Sequence, residues 1–267
     1  MERFRVTDGK GFDLAKWDPA DIGERDGGRT AGRAELKELT PRLDELQEKF
    51  YADGRHKLLV VLQGTDTSGK GGAIRKAFEG LDPSGVRVAS FKAPTDLELA
   101  HDFLWRVHPH VPSNGQISIF DRSHYEDVLI VRVHDLVPKK RWQARYAHIR
   151  AFEKLLADEG TVILKFFLHI SKDEQAERLR ARLDDPTKNW KFRTGDLEER
   201  GHWDDYQDAY EEMIQRTAAA HAPWFVVPAN RKWFRDLVIC HALIDTLERL
   251  DLRYPVPAED LSGVTIE

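Results

Sequence analysis

The chain has 267 residues, of which 41% are hydrophobic, and a formal net charge of −5 at pH 7. This composition predicts one globular domain with a large core, and the negative charge argues against a protein that coats nucleic acid. One cysteine, Cys240, excludes an internal disulfide and a cysteine-based metal cluster and is typical of a reducing compartment. Because the first residues lack an apolar signal core and no run is long enough to span a membrane, we expect a cytoplasmic protein with no membrane partner.

The N-terminal segment, residues 1–39, is rich in Gly, Asp and Arg and has little hydrophobic periodicity. This predicts an irregular arm on the surface, followed by a single main domain over residues 40–267. Thr40 followed by Pro41 has the pattern of an N-cap with proline at the first helical position, so a helix is predicted to begin there.

Strand and helix patterns alternate through the main domain. The predicted strands are KLLVVLQ (57–63), VRVASF (86–91), QISIFD (116–121), TVILKFFLHI (161–170) and WFVVPA (224–229). The predicted helices are GGAIRKAFEGL (71–81), TDLELAHDFLWRV (95–107, capped by Thr95), residues 138–160, and SKDEQAERLRARL (171–183, with a capping box of Ser171 and Glu174). This order predicts a three-layer α/β/α fold with a mainly parallel sheet, whose ligands bind at the carboxyl ends of the strands.

The stretch GTDTSGKGG leaves the first of these strands and enters a helix. Gly64, Gly69 and Lys70 fit the pattern G-x-x-x-x-G-K, in which backbone N–H groups surround phosphate oxygens and the lysine neutralises them. Further candidates for phosphate contact in the same loop are Thr67, Ser68, Gly71 and Gly72. Gly71 stands where Ser or Thr would bring a hydroxyl to Mg²⁺, so the usual metal ligand of this pattern is missing.

Two acidic residues replace that ligand in our interpretation. Asp66 inside the loop would repel a phosphate chain unless a cation lay between them, which predicts that Asp66 binds a metal ion. The alternative is that its carboxylate accepts hydrogen bonds from the loop backbone. Asp121 ends the ISIFD strand, where a second carboxylate for Mg²⁺ is expected, and Arg122 after it suits bidentate contact with phosphate.

A third element, at about residues 178–205, combines basic side chains with a helix-breaking proline. Arg178 and Arg182 are four residues apart and share one helix face, and Lys188 and Lys191 follow the proline. This predicts a hinged basic lid that stabilises charge on a transferred phosphoryl group and excludes water. A solvated linker between two helices is the alternative.

Residues 138–152 hold five Lys or Arg residues and no acid. This indicates either a local polyanion site or a solvated helix face next to an interface. The aromatic residues Trp142, Tyr146 and Phe152 in the same segment would suit a helical self-contact.

The motifs GTDTSGKGG, DRSHYED, and DPTKNWK followed by WDDY occur in the order typical of the polyphosphate kinase 2 family, which the chain resembles from about residue 40 to 255. The resemblance implies a P-loop kinase fold and transfer of a terminal phosphoryl group between inorganic polyphosphate and a nucleotide. It implies Mg²⁺ as cofactor, with Mn²⁺ as the alternative metal, held by Asp66 and Asp121. It also implies phosphate roles for Lys70 and Arg122, polyanion contacts from the lid, and a homodimer or homotetramer.

The resemblance also bears on the acceptor. Glu126 stands where members acting only on diphosphates carry asparagine, so it implies a branch that accepts AMP as well as ADP, and GMP or GDP. On this reading Glu126 and Asp127 lie near the acceptor and Arg132 supports its phosphate; the alternative is that each acid only stabilises the first turn of a helix.

No residue of these motifs has the setting of an activated nucleophile, so direct in-line transfer is expected. An ATP-dependent nucleoside or nucleotide kinase would share the fold but explains Asp66 less well. A nucleotide-gated binding module with slow hydrolysis is the alternative from another class.

Overall fold

The computed structural model describes residues 1–261 and 264–266. One sheet has the strand order β1-β6-β5-β2-β4-β3. Its strands are Arg5–Val6 (β1), Lys57–Gln63 (β2), Val86–Ser90 (β3), Ile117–Asp121 (β4), Thr161–His169 (β5) and Trp224–Pro228 (β6). Strands β2 to β6 are parallel, whereas β1 pairs with β6 in the antiparallel sense, so the mainly parallel sheet is confirmed.

Helices cover both faces of this sheet. The α-helices are Gly28–Asp53 (α1), Lys70–Ala77 (α2), Asp96–Leu99 (α3), Ile130–Val133 (α4), Lys139–Asp158 (α5), Lys172–Leu183 (α6), Gly195–Gly201 (α7), Trp203–Thr217 (α8) and Lys232–Glu248 (α9). Short 3₁₀ helices span Glu2–Phe4, Leu14–Lys16, His108–His110, His124–Val128 and Asn189–Lys191. Buried side chains of α1, α2 and α9 fill the core on one face of the sheet, and those of α5 and α8 fill the core on the other. The predicted three-layer α/β/α fold is confirmed.

The register of the parallel strands brings the site together. Leu62 of β2 lies opposite Asp121 of β4 and Phe166 of β5, so the three central strands end at the same edge. The loop that follows β2 therefore emerges between Asp121 and the end of β5, as expected for a ligand site in a parallel sheet.

The predicted start of the first helix was wrong. The helix α1 begins at Gly28 and contains Pro41, so only the residues before Gly28 form an arm. Gly32 explains this, because a Cβ there would lie 2.2 Å from the Trp233 ring and its absence lets α1 pack closely against α9. This packing outweighs the hydrogen bond that Pro41 cannot donate. Within the arm, β1 adds an edge strand to the sheet.

Two helix predictions needed correction at their ends. The segment 95–107 is helical only over Asp96–Leu99, although Thr95 and Glu98 do form a capping box. Ser171 caps α6 by accepting from the Glu174 backbone, as predicted, but the Glu174 carboxylate accepts from Arg178 Nε at 2.6 Å rather than completing the box.

The aromatic residues of α5 do not form a self-contact. Trp142, Tyr146 and Phe152 are buried in the core on the α5 face of the sheet, so that prediction was wrong. The exposed basic residues of this segment are Lys139, Lys140, Arg141 and Arg150. Exposed basic residues fit both alternatives for this segment, the polyanion site and the solvated helix face, so both stay predictions. No helix in the described ranges has the length and apolarity that crossing a membrane requires.

Candidate active site

At two positions of the loop between β2 and α2, the backbone conformation and the surrounding atoms admit only glycine. Gly64 has φ +153°, and a Cβ there would lie 2.7 Å from Ser68 Oγ. Gly69 has φ +102°, and a Cβ there would lie 2.2 Å from Arg235 Nη1. Lys70 begins α2, and its buried ammonium donates to the carbonyls of Gly64 at 2.6 Å and Thr65 at 3.2 Å. Burial and the charge of Arg122 lower the pKa of Lys70.

Three hydroxyl groups in this loop are buried without a hydrogen-bond partner in the described part of the chain: Thr65, Thr67 and Ser68. Buried polar groups in folded proteins are nearly always hydrogen-bonded, so unpartnered donors at a glycine-rich loop suit an anionic ligand. Their position beside Lys70 fits the phosphate contacts predicted for Thr67 and Ser68.

Asp66 lies among basic groups. Its carboxylate accepts from Arg122 Nη2 at 2.8 Å, an ion pair in which both side chains are about one-third exposed. Burial alone would raise the pKa of Asp66, but Lys70, Arg122 and Arg182 outweigh it and lower the pKa. Asp66 is therefore ionised at neutral pH, and its carboxylate lies among the positive charges of Lys70, Arg122 and Arg182.

Arg122 and Glu126 complete this cluster from the end of β4. Arg122 has a positive φ of 61°, which turns the chain sharply after Asp121. Burial holds the pKa of Glu126 above its usual value, and the charges of Arg122 and Lys70 offset only part of this effect. In the amide orientation that satisfies both neighbours, Gln63 donates to Glu126 at 3.0 Å and accepts from Ser123. Four predicted residues, Asp66, Lys70, Arg122 and Glu126, thus interact, and Asp121 adds its charge beside Lys70.

Arg178 lies behind the loop rather than over it. Its Nη1 donates to the carbonyls of Thr67 and Ser68, and its Nη2 donates to those of Ala229 and Asn230. The Nε group donates to Glu174, so each of the three guanidinium nitrogens is engaged and the side chain is 8% exposed. A guanidinium has only five N–H donors, which leaves none for a phosphate. Arg178 therefore holds the loop in shape, and its prediction as a lid residue facing the ligand is corrected.

Arg235 of α9 supports the same loop and was not predicted. Its Nη1 donates to the Gly69 carbonyl at 3.1 Å, and its Nε and Nη2 bind Asp236. Together Arg178 and Arg235 bind the carbonyls of three successive loop residues, Thr67 to Gly69. The signal available in the sequence was an Arg-Asp pair inside the apolar run of α9.

The segment 184–202, between α6 and α8, is the part of the predicted lid that faces the loop. Arg182 of α6 contacts Asp196 of this segment at 3.5 Å. Burial, and then the charge of Asp66, raise the pKa of Asp196. Lys188 and Lys191 are exposed on this segment, beside Trp190, which is 77% exposed. Arg182 and Asp196 thus bring this segment near Asp66.

Two predicted acceptor residues bind elsewhere in the fold. Asp127 accepts from Arg145 of α5 at 2.9 Å, and Arg132 donates to Glu212 of α8 at 2.7 Å and lies over the Trp142 ring. Asp127 thus contacts α5, and Arg132 contacts α8 and α5. Their roles at the acceptor stay predictions.

The carboxylates suit a metal that substrate phosphates help to hold. No group of three or more His, Cys, Asp or Glu residues within the described ranges could form a metal site by itself. Mg²⁺ commonly binds one or two carboxylates together with phosphate oxygens and water. Asp66 and Asp121, at the edge where the loop's unpartnered hydroxyls lie, supply such a donor set.

The fold and this loop define a P-loop protein that binds phosphate at the carboxyl edge of a parallel sheet. The family model described as Polyphosphate kinase 2 (PPK2) matches residues 27–254, and the chain belongs to that family. The predicted family and the P-loop kinase fold are both confirmed.

Two relatives and one crystal structure are similar to this protein over nearly the whole chain. It is 55% identical to the AMP/ADP-polyphosphate phosphotransferase of Meiothermus ruber, covering 100% of both chains. It is 44% identical to the ADP-polyphosphate phosphotransferase of Rhodopseudomonas palustris, covering 95% of this chain and 92% of that one. The crystal structure of polyphosphate kinase 2 from Arthrobacter aurescens TC1 is similar with a TM-score of 0.92 and 47% identity, covering 96% of this chain and 92% of that one.

Proposed function

We propose that this enzyme transfers a terminal phosphoryl group between inorganic polyphosphate and AMP or ADP, in the presence of Mg²⁺. The observation that carries the proposal is the cluster of Asp66, Lys70 and Arg122 at a glycine-rich P-loop. The relatives named as polyphosphate phosphotransferases of AMP, ADP and GDP support the same donor and acceptors.

The protein's contribution to transfer is positioning and charge. The P-loop backbone and Lys70 bind the donor's terminal phosphates, and Arg122 aligns the acceptor against them. Asp66 and Asp121 would hold Mg²⁺, which neutralises phosphate oxygens when bound. The acceptor phosphate is an anion at neutral pH, so a strong general base is unnecessary. His124, buried and 3.4 Å from Glu153, is not presented to the loop as a nucleophile, and transfer is direct.

The testing experiment is an assay of purified protein with polyphosphate and AMP, then with polyphosphate and ADP, with and without Mg²⁺. We expect ADP and then ATP to form only when the metal is present. Phosphorylation of AMP from ATP but not from polyphosphate would instead identify an ATP-dependent nucleotide kinase.

Glu126 is expected to decide the use of AMP. AMP is one phosphate shorter than ADP, so its acceptor oxygen reaches Arg122 only when the nucleoside lies deeper, next to Glu126. We expect Glu126→Asn to lower kcat/KM for AMP about tenfold more than for ADP, a difference of about 1.4 kcal/mol. The measurement is steady-state kinetics with each acceptor at saturating polyphosphate. Equal losses for AMP and ADP would remove Glu126 from acceptor selection.

Asp66 is expected to set the metal requirement. Asp66→Asn keeps the size of the side chain and removes its charge, so we expect the half-saturating Mg²⁺ concentration to rise about tenfold, with Asp121→Asn behaving alike. Because the Asp66–Arg122 pair is partly exposed, its loss should change the melting temperature little. If Asp66 only braced the loop backbone, asparagine would substitute for it and the Mg²⁺ titration would match that of wild type.

Lys188 and Lys232, whose charges lie near Arg178 and Arg235, are expected to bind the donor chain. Burial and then the charges of Arg178 and Arg235 lower the pKa of Lys232, and Lys188 adds to this crowding. A bound polyanion would reduce the repulsion between these positive charges. We expect Lys188→Ala and Lys232→Ala each to raise the KM for polyphosphate about fivefold, about 1 kcal/mol, and less at high salt.

The matched control for these lysines is Lys154→Ala, which removes an exposed lysine of α5 that pairs with Asp158. We expect its KM for polyphosphate to equal that of wild type. A KM unchanged in Lys188→Ala and Lys232→Ala would place the donor chain elsewhere.

A further inference from the structure

A buried ion pair lies in the otherwise apolar core that α5 and α8 form on the sheet. Lys165 of β5 and Glu153 of α5 are at most 1% exposed, and the Lys165 ammonium donates to the Glu153 carboxylate at 2.7 Å. Burial opposes ionisation of Glu153, but the charge of Lys165 and the contact with His124 outweigh it and lower the pKa of Glu153. The carboxylate is therefore ionised at pH 7.

Tyr125 connects this pair to the turn of residues 122–128, which follows β4. Its hydroxyl donates to the Glu153 carboxylate at 2.6 Å and accepts from the Lys165 ammonium at 2.9 Å. The Lys165 ammonium also donates to the Thr217 carbonyl at 2.9 Å. Because an ammonium has three donors, Lys165 has none left for a ligand, and its contacts are internal to the fold.

The turn needs fixed points because it begins with an unfavourable backbone conformation. Arg122 has a φ of 61°, in the left-handed region that favours glycine, and such a residue persists only where its surroundings determine its conformation. From the end of β2, Gln63 binds Ser123 and Glu126. The Tyr125 backbone donates to Ser123 Oγ at 3.1 Å. The Tyr125 hydroxyl adds a further fixed point, from β5 and α5.

Stability by itself does not explain an ion pair at this place. Apolar residues of similar volume are often as stabilising as a buried ion pair, or more so. A buried polar network whose members are all hydrogen-bonded instead restricts the core to one arrangement. The pair of Glu153 and Lys165 is therefore suited to setting the position of the Tyr125 hydroxyl, and with it the position of the turn.

We propose that Tyr125, Glu153 and Lys165 are positioning residues for phosphoryl transfer. They hold the turn of residues 122–128 in the conformation that places Arg122 at the P-loop. The proposal rests on the proposed function, in which Arg122 aligns the acceptor. A displacement of about 1 Å at an aligned group costs on the order of 100-fold in rate, so even a small movement of the turn would lower turnover.

The first test separates stability from turnover. Lys165→Met alone leaves the Glu153 charge buried without its partner, so we expect a lowered melting temperature and lowered turnover. The triple variant Tyr125→Phe, Glu153→Leu and Lys165→Met replaces the network by apolar side chains of similar size. We expect its melting temperature to lie above that of Lys165→Met. Its kcat for transfer from polyphosphate to ADP should stay about 100-fold below that of wild type, with an unchanged KM for polyphosphate because the P-loop is intact.

The second test removes one hydroxyl and leaves the ion pair in place. We expect Tyr125→Phe to lower kcat about tenfold, the scale of one lost hydrogen bond, with little change in melting temperature. Hydrogen exchange of residues 122–128, measured by mass spectrometry, should be faster in Tyr125→Phe and in the triple variant. The matched control is Tyr146→Phe, because Tyr146 is a buried tyrosine of α5 that contacts Trp142 and Arg216. Its kcat and its hydrogen exchange should equal those of wild type.

Three results would overturn the proposal. Wild-type kcat in a folded triple variant would show that the network serves stability alone, and wild-type kcat in Tyr125→Phe would exclude a role for the hydroxyl. Unchanged hydrogen exchange of residues 122–128 in Tyr125→Phe would show that other contacts hold the turn. If the triple variant does not fold, Tyr125→Phe decides the question. Absence of transfer from polyphosphate in wild type would refute the proposed function, while hydrogen exchange would still show whether the network holds the turn.

Discussion

Lys70→Ala is expected to lower turnover by about 10²- to 10³-fold at every Mg²⁺ concentration, the scale for removing one group that stabilises transferred charge. The Lys70 ammonium is the buried cation at the start of α2, held between the Gly64 and Thr65 carbonyls. Alanine removes this charge and leaves Asp66 and Asp121 in place, so added metal should not restore activity. The measurement is single-turnover transfer from polyphosphate to ADP across a Mg²⁺ titration.

The control for Lys70 is Lys76→Ala on the same helix. Lys76 is exposed and pairs with Glu79, so its loss should leave turnover unchanged. Recovery of Lys70→Ala activity at high Mg²⁺ would show that the lysine acts through the metal rather than on the phosphate. Lys70→Arg should recover little, because the space between the two carbonyls fits a compact ammonium.

Arg178→Ala is expected both to destabilise the protein and to lower its turnover. The substitution removes donors to the Thr67, Ser68, Ala229 and Asn230 carbonyls and leaves Glu174 without its partner. Loss of one partner from a buried charge network costs about 3 kcal/mol of the free energy of unfolding. Turnover should fall at least about 100-fold, because the P-loop loses the contacts that shape it. Thermal unfolding and steady-state kinetics measure the two effects.

Arg182→Ala is the matched control on the same helix face, four residues further on. Arg182 is partly exposed and contacts Asp196 at 3.5 Å, so its loss should lower turnover roughly 10- to 1000-fold with little change in melting temperature. A folded Arg178→Ala protein with normal turnover would contradict the support role. A large loss of stability in Arg182→Ala would contradict the distinction between the two arginines.

Much of the site could be predicted because its signals are local. The spacing of Gly64, Gly69 and Lys70 is that of one turn, and the structure requires glycine where the pattern does. Asp121 and Arg122 follow a buried strand, and parallel strands end at one edge whatever surrounds them. Proximity of Asp66, Lys70 and Arg122 follows from these two facts alone.

Arg178 and Arg235 show why the rest could not be predicted. Spacing of four residues places Arg178 and Arg182 on one helix face, but it does not say which of them meets the core. Arg178 is buried because α6 packs beside the P-loop and the loop after β6, segments far away in sequence. The pair of Arg235 and Asp236 stands out in the apolar pattern of α9, but that pattern does not show that Arg235 reaches the Gly69 carbonyl.

The sequence by itself determined the parallel α/β class, the P-loop and the family, because strand patterns and short motifs depend on neighbours along the chain. Tertiary structure alone decided that α1 runs through Pro41, that the α5 aromatics are buried in the core, and that Arg178 supports the loop from behind. The reason is the same in each case. Burial against a distant segment can outweigh local preference, and a periodic pattern shows which residues share a face without showing what that face will contact.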